Sequence, residues 1–355
     1  MGHLSEIDLQ DNLIWKWAEV ARFSIHIPAL TSMLLHGNKM QEVTPSVVEG
    51  LAPRSFSSLR VLALNGCGIK SWQSFSLLLP FLSNIEELYL SSNLLDDLPV
   101  YLSADESEES QPDREGDDVF STNDAFLPAL RILDISGCGV TDWNQILTFG
   151  GLPKLEDLRV DDNPLPRIVA PPANSQFFSN LIRLSISSTQ ISSWSCVDSL
   201  NGYPSCTHLR LSHIPLFSGR GASEVRPIVI GRVPALRFFN GSGVGQKERY
   251  DSEKSYLRRV MRLDNYACSL FTWNHLLKLL SAILSIREVN DLENSISTPS
   301  AEEIEEVISN LHPRYAELRE KYASELLPMG AAANGADPGT IAAGAIPFSF
   351  SVLAL

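Results

Sequence analysis

The sequence has little positive charge. It carries 28 Lys and Arg against 42 Asp and Glu, which gives a formal net charge of −14 over 355 residues. Nucleic-acid binding draws most of its affinity from Lys and Arg on phosphates, so this composition argues against it. With 44% hydrophobic and 20% charged residues, the sequence is typical of a globular protein, and its length suits about two domains.

Paired cysteines and a secretory leader are also missing. The five cysteines are an odd number without a CxxC pair, which fits neither a disulfide framework nor a zinc site. Residues 1–6 show no basic segment followed by an apolar run, so we expect an intracellular protein with reduced thiols. The one candidate membrane segment, residues 269–286, is interrupted by Asn274, His275 and Lys278, so we expect no membrane span.

No catalytic signature is present. The motifs GxSxG and HExxH, the Walker lysine loop and the dinucleotide-binding glycine pattern do not occur. Residues 241–245 are glycine-rich, but their spacing predicts a turn, and the seven histidines lack ligand spacing. The sequence therefore predicts a protein that is not an enzyme and has no cofactor or metal site.

A repeat organises most of the chain. The spacing L-x-x-L-x-L-x-x-N-x-L is typical of leucine-rich repeats and occurs eight times, beginning at residues 4, 30, 59, 85, 130, 155, 181 and 206. Its period-two apolar residues place one face of a short strand in a core shared with neighbouring repeats. The predicted fold class is α/β: a leucine-rich-repeat solenoid with a curved parallel sheet on the concave side, helices and turns on the convex side, and a helical C-terminal cap.

Two further positions of the repeat are structural. In the first seven repeats the ninth position holds Asn, Cys or Thr, which can satisfy backbone groups where the chain leaves the strand, so we expect Cys67 and Cys138 to be structural. Tryptophans fall 13 residues after the start of repeats one, three, five and seven, and we expect them to fill the core on the convex side. These residues are Trp17, Trp72, Trp143 and Trp194.

The sequence divides into three parts. Residues 1–245 are predicted to form the solenoid, residues 246–328 a helical cap, and residues 329–355 an Ala/Gly-rich tail that is disordered or truncated. Within the solenoid, residues 104–124 form an acidic insertion with nine carboxylates and one arginine, which we interpret as a solvated loop. The insertion lacks the residue order of an EF-hand calcium loop.

The concave face is the candidate binding surface, because the residues between the strand leucines point to solvent there. Apolar side chains occupy its middle repeats, and basic side chains concentrate in the last three. A competing expectation is that Asp157 and Asp161 neutralise these arginines within the sheet. The candidate protein-binding residues are Tyr89, Asp134, Arg159, Arg183, His208 and Arg210.

The repeats and their flanks resemble tubulin-specific chaperone E, also called tubulin-folding cofactor E. The resemblance covers residues 4–260 and 301–325 and lies in the segments IEELYLSSN (85–93), ISSW (191–194), LRFFN (236–240) and HPRY (312–315), with Glu248, Arg249, Lys321 and Tyr322. It covers the leucine-rich-repeat region of that family and part of the segment that follows the repeats. We expect no counterpart of the family's CAP-Gly domain in this sequence and, in residues 346–355, no more than a fragment of its ubiquitin-like domain.

The resemblance implies a function. It implies a cytoplasmic, cytoskeleton-associated chaperone that binds α-tubulin, acts with the other tubulin-folding cofactors, and helps assemble or dissociate the αβ-tubulin heterodimer. A leucine-rich-repeat regulatory subunit of a protein phosphatase, or another interaction scaffold, is the alternative, although the 25–29-residue spacing is longer than expected of the phosphatase type. A splicing-related repeat protein would need a basic, aromatic surface.

Deleting residues 104–124 should leave the fold intact. Loop-closure entropy changes slowly with loop length, and the segment supplies no core residues. Thermal unfolding of the deletion variant is expected to stay cooperative, with a midpoint close to that of the parent chain. A broad or absent transition would show that the insertion is structural.

Overall fold

The repeats form one sheet of ten strands that follow one another in sequence order. The computed structural model describes residues 4–95, 97–99, 127–173, 175–268, 301–323 and 325. The strands are β1 Glu6–Asp8, β2 Ser32–Leu34, β3 Val61–Ala63, β4 Glu87–Tyr89, β5 Ile132–Asp134, β6 Asp157–Arg159, β7 Arg183–Ser185, β8 His208–Arg210, β9 Phe238–Phe239 and β10 Ser242–Gly243. Strands β1 to β9 are parallel, and β10 pairs antiparallel with β9. One short strand per repeat, added side by side, is the predicted leucine-rich-repeat architecture, which is confirmed.

The strand register agrees with the predicted repeat register. The central residues of consecutive strands pair in one row, for example Leu88 with Leu133 and Leu133 with Leu158. From β2 to β8 these central side chains are at most 2% exposed. The two residues that flank each centre lie on the opposite face of the sheet, because side chains alternate along a strand. We call this opposite surface of β1 to β8 the strand face.

Asparagines at the ninth repeat position bind the backbone of the preceding repeat. The Asn38 Nδ2 donates to the Leu9 carbonyl at 2.8 Å, and its Oδ1 accepts the Ile14 amide at 3.1 Å. Asn93 and Asn163 make equivalent side-chain contacts to the preceding repeat at 2.9–3.0 Å. Buried carbonyl and amide groups are thereby satisfied where the chain leaves the strand.

Cysteines take the same position in two of the intervening repeats. The Sγ of Cys67 lies 3.0 Å from the Leu35 carbonyl, and the Sγ of Cys138 lies 3.1 Å from the Leu90 carbonyl. Burial raises the pKa of each thiol to about 11. A thiol that stays protonated and fully buried is unreactive, which agrees with the structural role predicted for both residues.

Each of the four repeat tryptophans is the first residue of a helix and is at most 3% exposed. The Trp72 ring meets Phe149 edge-on with centroids 5.4 Å apart, and the Trp143 Nε1 donates to the Tyr203 hydroxyl at 2.8 Å. The predicted core packing is confirmed. Up to residue 217, the helices are α1 Trp17–His26, α2 Pro45–Glu49, α3 Trp72–Ser76, α4 Trp143–Leu147 and α5 Trp194–Asp198, with short 3-10 helices at Leu79–Phe81, Thr148–Gly151, Ser199–Gly202 and Pro215–Phe217.

The chain divides into two units. The repeat unit contains Met1–Ser192, Ser199–Arg220 and Ala235–Val244, and the helical unit contains Ser193–Asp198, Gly221–Pro234 and Gly245–Leu355. The helical unit includes α6 Ala222–Arg232, α7 Gln246–Cys268, α8 Ala301–Leu311 and α9 Tyr315–Lys321. A helical cap over residues 246–328 was expected from the sequence, whereas α6 was not.

The HPRY segment forms the polar centre of the helical unit. Arg314 is 6% exposed, and its guanidinium donates to the Gly231 carbonyl at 2.6 Å and to Glu253 at 3.3 Å. Glu253 is 1% exposed and also accepts hydrogen bonds from the Lys321 ammonium at 2.7 Å and from the Tyr322 hydroxyl at 2.8 Å. The carboxylate therefore links α7 to the segment that carries the family resemblance, and its charge is fully compensated.

His312 lies beside a second buried arginine. Its Nδ1 is 2.9 Å from the Tyr256 hydroxyl and 3.3 Å from Arg232, and Arg232 pairs with Asp198 at 2.6 Å. Burial, followed by the charges of Arg232 and Arg259, lowers the pKa of His312 to about 3. The imidazole is therefore neutral and accepts hydrogen bonds at Nδ1.

Several predicted features lie outside the described residues. They are the acidic insertion 104–124, the apolar segment 269–286 and the tail 329–355, so the predicted boundary at residue 328 stays a prediction. Among the helices that the structure describes, none has both the length and the apolar character needed to cross a membrane.

Replacing Leu133 with Asp should unfold part of the repeat unit. Leu133 is 0% exposed, and burying an unpaired carboxylate costs several kcal/mol, which is comparable with the stability of a domain. The matched control is Ile132→Lys, one residue away on the strand face between Glu87 and Asp157, where we expect a change within about 0.5 kcal/mol. Thermal melts measure both variants, and an unchanged melt for Leu133→Asp would contradict the register.

The stability of the helical unit should fall at acidic pH because of His312. Its pKa is about 3 in the folded chain, against an ordinary value of 6.5. Between pH 3 and pH 6.5, the unfolded chain therefore binds more protons than the folded chain. The stabilisation is complete above pH 6.5 and is lost as the pH falls towards 3, at about 1.4 kcal/mol per pH unit.

Urea unfolding at pH 7 and pH 5 tests this expectation. The pH dependence should be weaker in His312→Gln and unchanged in His26→Gln, whose histidine is exposed on α1. As a readout that needs no substitution, the ring resonances of His312 in the parent chain should not titrate between pH 7 and 5. A histidine that titrates normally would contradict the assignment.

Candidate protein-binding face of the sheet

The six predicted binding residues all lie on the strand face. Tyr89, Asp134 and Arg159 pair in register on β4, β5 and β6 and form one continuous row. Arg210 lies two strands further along the same row, while Arg183 and His208 pair in the neighbouring row. The parallel register therefore brings together side chains that are up to 121 residues apart in sequence (Tyr89 to Arg210).

Tyr89 supports Arg159 in the middle of this row. The Arg159 guanidinium lies 5.9 Å from the centre of the Tyr89 ring, within reach of a cation–π interaction. The Tyr89 hydroxyl donates to the Glu87 carboxylate at 2.7 Å. Burial, together with this hydrogen bond, raises the pKa of Tyr89 to about 12. The phenol therefore stays neutral, and its ring holds the arginine in place.

Asp157 is shared by two of the candidate arginines. It is 8% exposed and accepts a hydrogen bond from the Arg159 guanidinium at 3.1 Å. The Arg183 guanidinium lies further away, at 3.9 Å. Asp157 therefore neutralises one positive charge of the two. Arg210 is exposed and forms no ion pair with a residue that the structure describes.

The other carboxylates of this region bind strand and turn groups instead of arginines. Asp134 accepts the Ser136 amide at 3.0 Å. Asp161 accepts the Ser185 hydroxyl at 2.6 Å and the Ser187 amide at 2.5 Å. Burial raises the pKa of Asp161, and these hydrogen bonds oppose the rise. Of the two aspartates expected to neutralise the arginines, only Asp157 does so.

The structure adds a residue that sequence reasoning did not select. Phe238 on β9 pairs in register with His208, and the two rings stack with centroids 4.3 Å apart and planes inclined by 13°. Burial, then the charges of Arg183 and Arg237, lower the pKa of His208. Phe238 follows the eight predicted repeats, so extending the alternation of faces by one strand would have selected it.

The strand face has no cluster of metal-ligating side chains. Among the described residues, no group of three or more His, Cys, Asp or Glu is arranged to hold a metal ion. The face instead offers hydrogen-bonding, charged and aromatic groups on short, rigid strands. Such a surface is suited to binding a macromolecule.

The fold is that of a leucine-rich-repeat protein, and comparison with known proteins confirms the more specific resemblance. The chain is 28% identical over 325 residues to human tubulin-specific chaperone cofactor E-like protein, covering 90% of this chain and 70% of that protein. It is 29% identical over 268 residues to tubulin-folding cofactor E of Arabidopsis thaliana and 27% identical over 259 residues to human tubulin-specific chaperone E. These alignments cover 74% and 72% of this chain but only 46% and 44% of the relatives.

Two other comparisons add no functional information. No protein-family model matches the sequence. Among solved structures, a leucine-rich-repeat protein from Leptospira interrogans is similar with a TM-score of 0.40 and 17% identity, covering 65% of this chain and 59% of that one.

Proposed function

We propose that this protein is a tubulin-folding cofactor that binds α-tubulin and helps assemble or dissociate the αβ-tubulin heterodimer. The observation that carries the proposal is the 28% identity to human tubulin-specific chaperone cofactor E-like protein over 90% of this chain. The alignment spans both the repeats and the helical unit, so the similarity extends beyond the leucine pattern that all such repeats share. A cytoplasmic, cytoskeleton-associated location and action with other tubulin-folding cofactors follow from the same proposal.

The proposed mechanism is binding rather than catalysis. The strand face would hold a folded or partly folded tubulin subunit through many modest contacts, since a rigid array of short strands changes little on binding. Arg159, Arg183 and Arg210 are the residues proposed to contact acidic groups of the partner. Arginine binds carboxylates with two parallel hydrogen bonds, but each exposed pair contributes only ~0.2–1 kcal/mol, so the effect is cumulative.

A phosphatase regulatory subunit or a general interaction scaffold is the alternative. Pull-down from a cell extract with the full chain distinguishes the two, because the bound proteins can be identified directly. Recovery of tubulin, followed by direct binding of purified tubulin, supports the proposal. Recovery of a phosphatase without tubulin contradicts it.

Reversing the charge of the three arginines should weaken tubulin binding. We expect Arg159→Glu, Arg183→Glu and Arg210→Glu together to lower the affinity by about three- to a hundredfold. The loss should be larger at low salt, where electrostatic screening is weakest. Binding of purified tubulin, measured at two ionic strengths, provides the readout, and the thermal melt confirms that the variant is folded.

The control carries the same change in net charge at other exposed positions. Arg22, Lys39 and Arg54 are exposed, and replacing all three with Glu should leave binding close to that of the parent. A second variant replaces the three face arginines with Gln. It removes their positive charge without placing a new negative charge beside Asp157, so it is less prone to local unfolding. Equal affinity of parent and face variants at both ionic strengths would show that the arginines do not take part.

A further inference from the structure

A group of exposed residues lies where the parallel strands end, on β7, β8 and β9 and at the residue that precedes β9. Phe238 on β9 is 42% exposed and rests against His208. Arg237, which precedes Phe238, and Arg210 on β8 are also exposed, and the Arg183 side chain on β7 is 50% exposed. We call these five residues the aromatic–arginine patch.

Positive charge at this patch is poorly compensated. Arg183 shares Asp157 at 3.9 Å with Arg159, which lies closer at 3.1 Å. Arg210 and Arg237 make no ion pair with any residue of the described ranges. In a chain with a net charge of −14, a cluster of three exposed guanidiniums with one shared carboxylate is an unusual local excess of positive charge.

The aromatic ring of the patch is held in a fixed position and is exposed to solvent. Single exposed apolar residues are common and need no explanation. Phe238 differs because its ring is fixed by stacking on His208 at 4.3 Å, and the charges of Arg183 and Arg237 act on that histidine. Rigid aromatic rings beside arginines are the residue types that contribute most to protein interfaces. The neutral imidazole adds a flat surface without a charge of its own.

We propose that the aromatic–arginine patch binds a short acidic peptide segment of a protein partner that carries an aromatic side chain next to its carboxylates. The carboxylates pair with Arg183, Arg210 and Arg237, and the aromatic side chain packs against Phe238. The proposal rests on the proposed function only in taking a protein as the partner. It adds the chemistry of the bound segment and two residues, Arg237 and Phe238.

Binding of synthetic peptides to the full chain tests the patch. The probes are dye-labelled hexapeptides with the sequences Glu-Glu-Glu-Phe-Glu-Glu and Glu-Glu-Glu-Gly-Glu-Glu, and fluorescence anisotropy measures their affinities. We expect the Phe peptide to bind about three- to tenfold more tightly. Phe238→Ala should remove this difference, whereas Trp15→Ala, at a ring 50% exposed near the first repeat, should preserve it.

The charged residues require a separate comparison. Arg210→Gln combined with Arg237→Gln should weaken both peptides by about three- to tenfold, and the loss should shrink as salt increases. Arg54→Gln, at an exposed arginine outside the patch, should have no effect. An oligonucleotide of equal charge should bind more weakly than the Phe peptide.

Three results would overturn the inference. They are equal affinity for the two peptides, an unchanged preference in Phe238→Ala, and equally tight binding of the oligonucleotide, which would indicate a general polyanion site. The tubulin measurement is independent. If tubulin binds but the peptides do not, the patch inference is wrong while the proposed function stands, and the reverse result rejects the function but supports the patch.

Discussion

The asparagine at the ninth position of the second, fourth and sixth repeats makes the contact on which the solenoid depends. A strand of three residues has too few hydrogen bonds and too little apolar surface to be stable alone. Asn38, Asn93 and Asn163 connect β2, β4 and β6 to the repeat before each of them through a donor and an acceptor at once. Leaving one of these buried groups unsatisfied would cost about 1–3 kcal/mol. The contact therefore stabilises the stack and also fixes its register.

The register in turn determines the surface. A slip of one residue would exchange the two faces of a strand, placing Asp134 in the core and Leu133 in solvent. With the register fixed, Tyr89, Asp134 and Arg159 lie in one row although nothing in their own contacts requires it. Binding residues on such a scaffold can change in sequence without changing position, because the leucines and asparagines hold the backbone.

The repeats could be predicted from sequence because their signals are local. Period-two leucines, a nearly constant spacing and tryptophans at the start of helices all reflect contacts within one repeat or between neighbours. Helix α6 was not predictable in this way, since it contains Pro227 and Gly231, two residue types with low helix propensity. The glycine is required by packing: a Cβ there would lie 2.7 Å from the Tyr256 Cβ. On the strand face, the positions of the binding residues were predictable from sequence, but their hydrogen-bond and ion-pair partners were not. Asp157 pairs with an arginine, whereas Asp161 accepts hydrogen bonds from two serines.

Charge is distributed unevenly along the sheet, from its first strand to its last. At the residue before each of β3 to β6, opposite charges alternate and pair, Arg60 with Glu86 and Arg131 with Glu156. The alternation then stops, because the next two positions in this row are Ile182 and Thr207. Arg237 follows them without an acidic neighbour. Glu6 and Asp8 make the first strand acidic, and the last strands keep uncompensated arginines, so a partner with its own charge asymmetry would bind the face in one orientation.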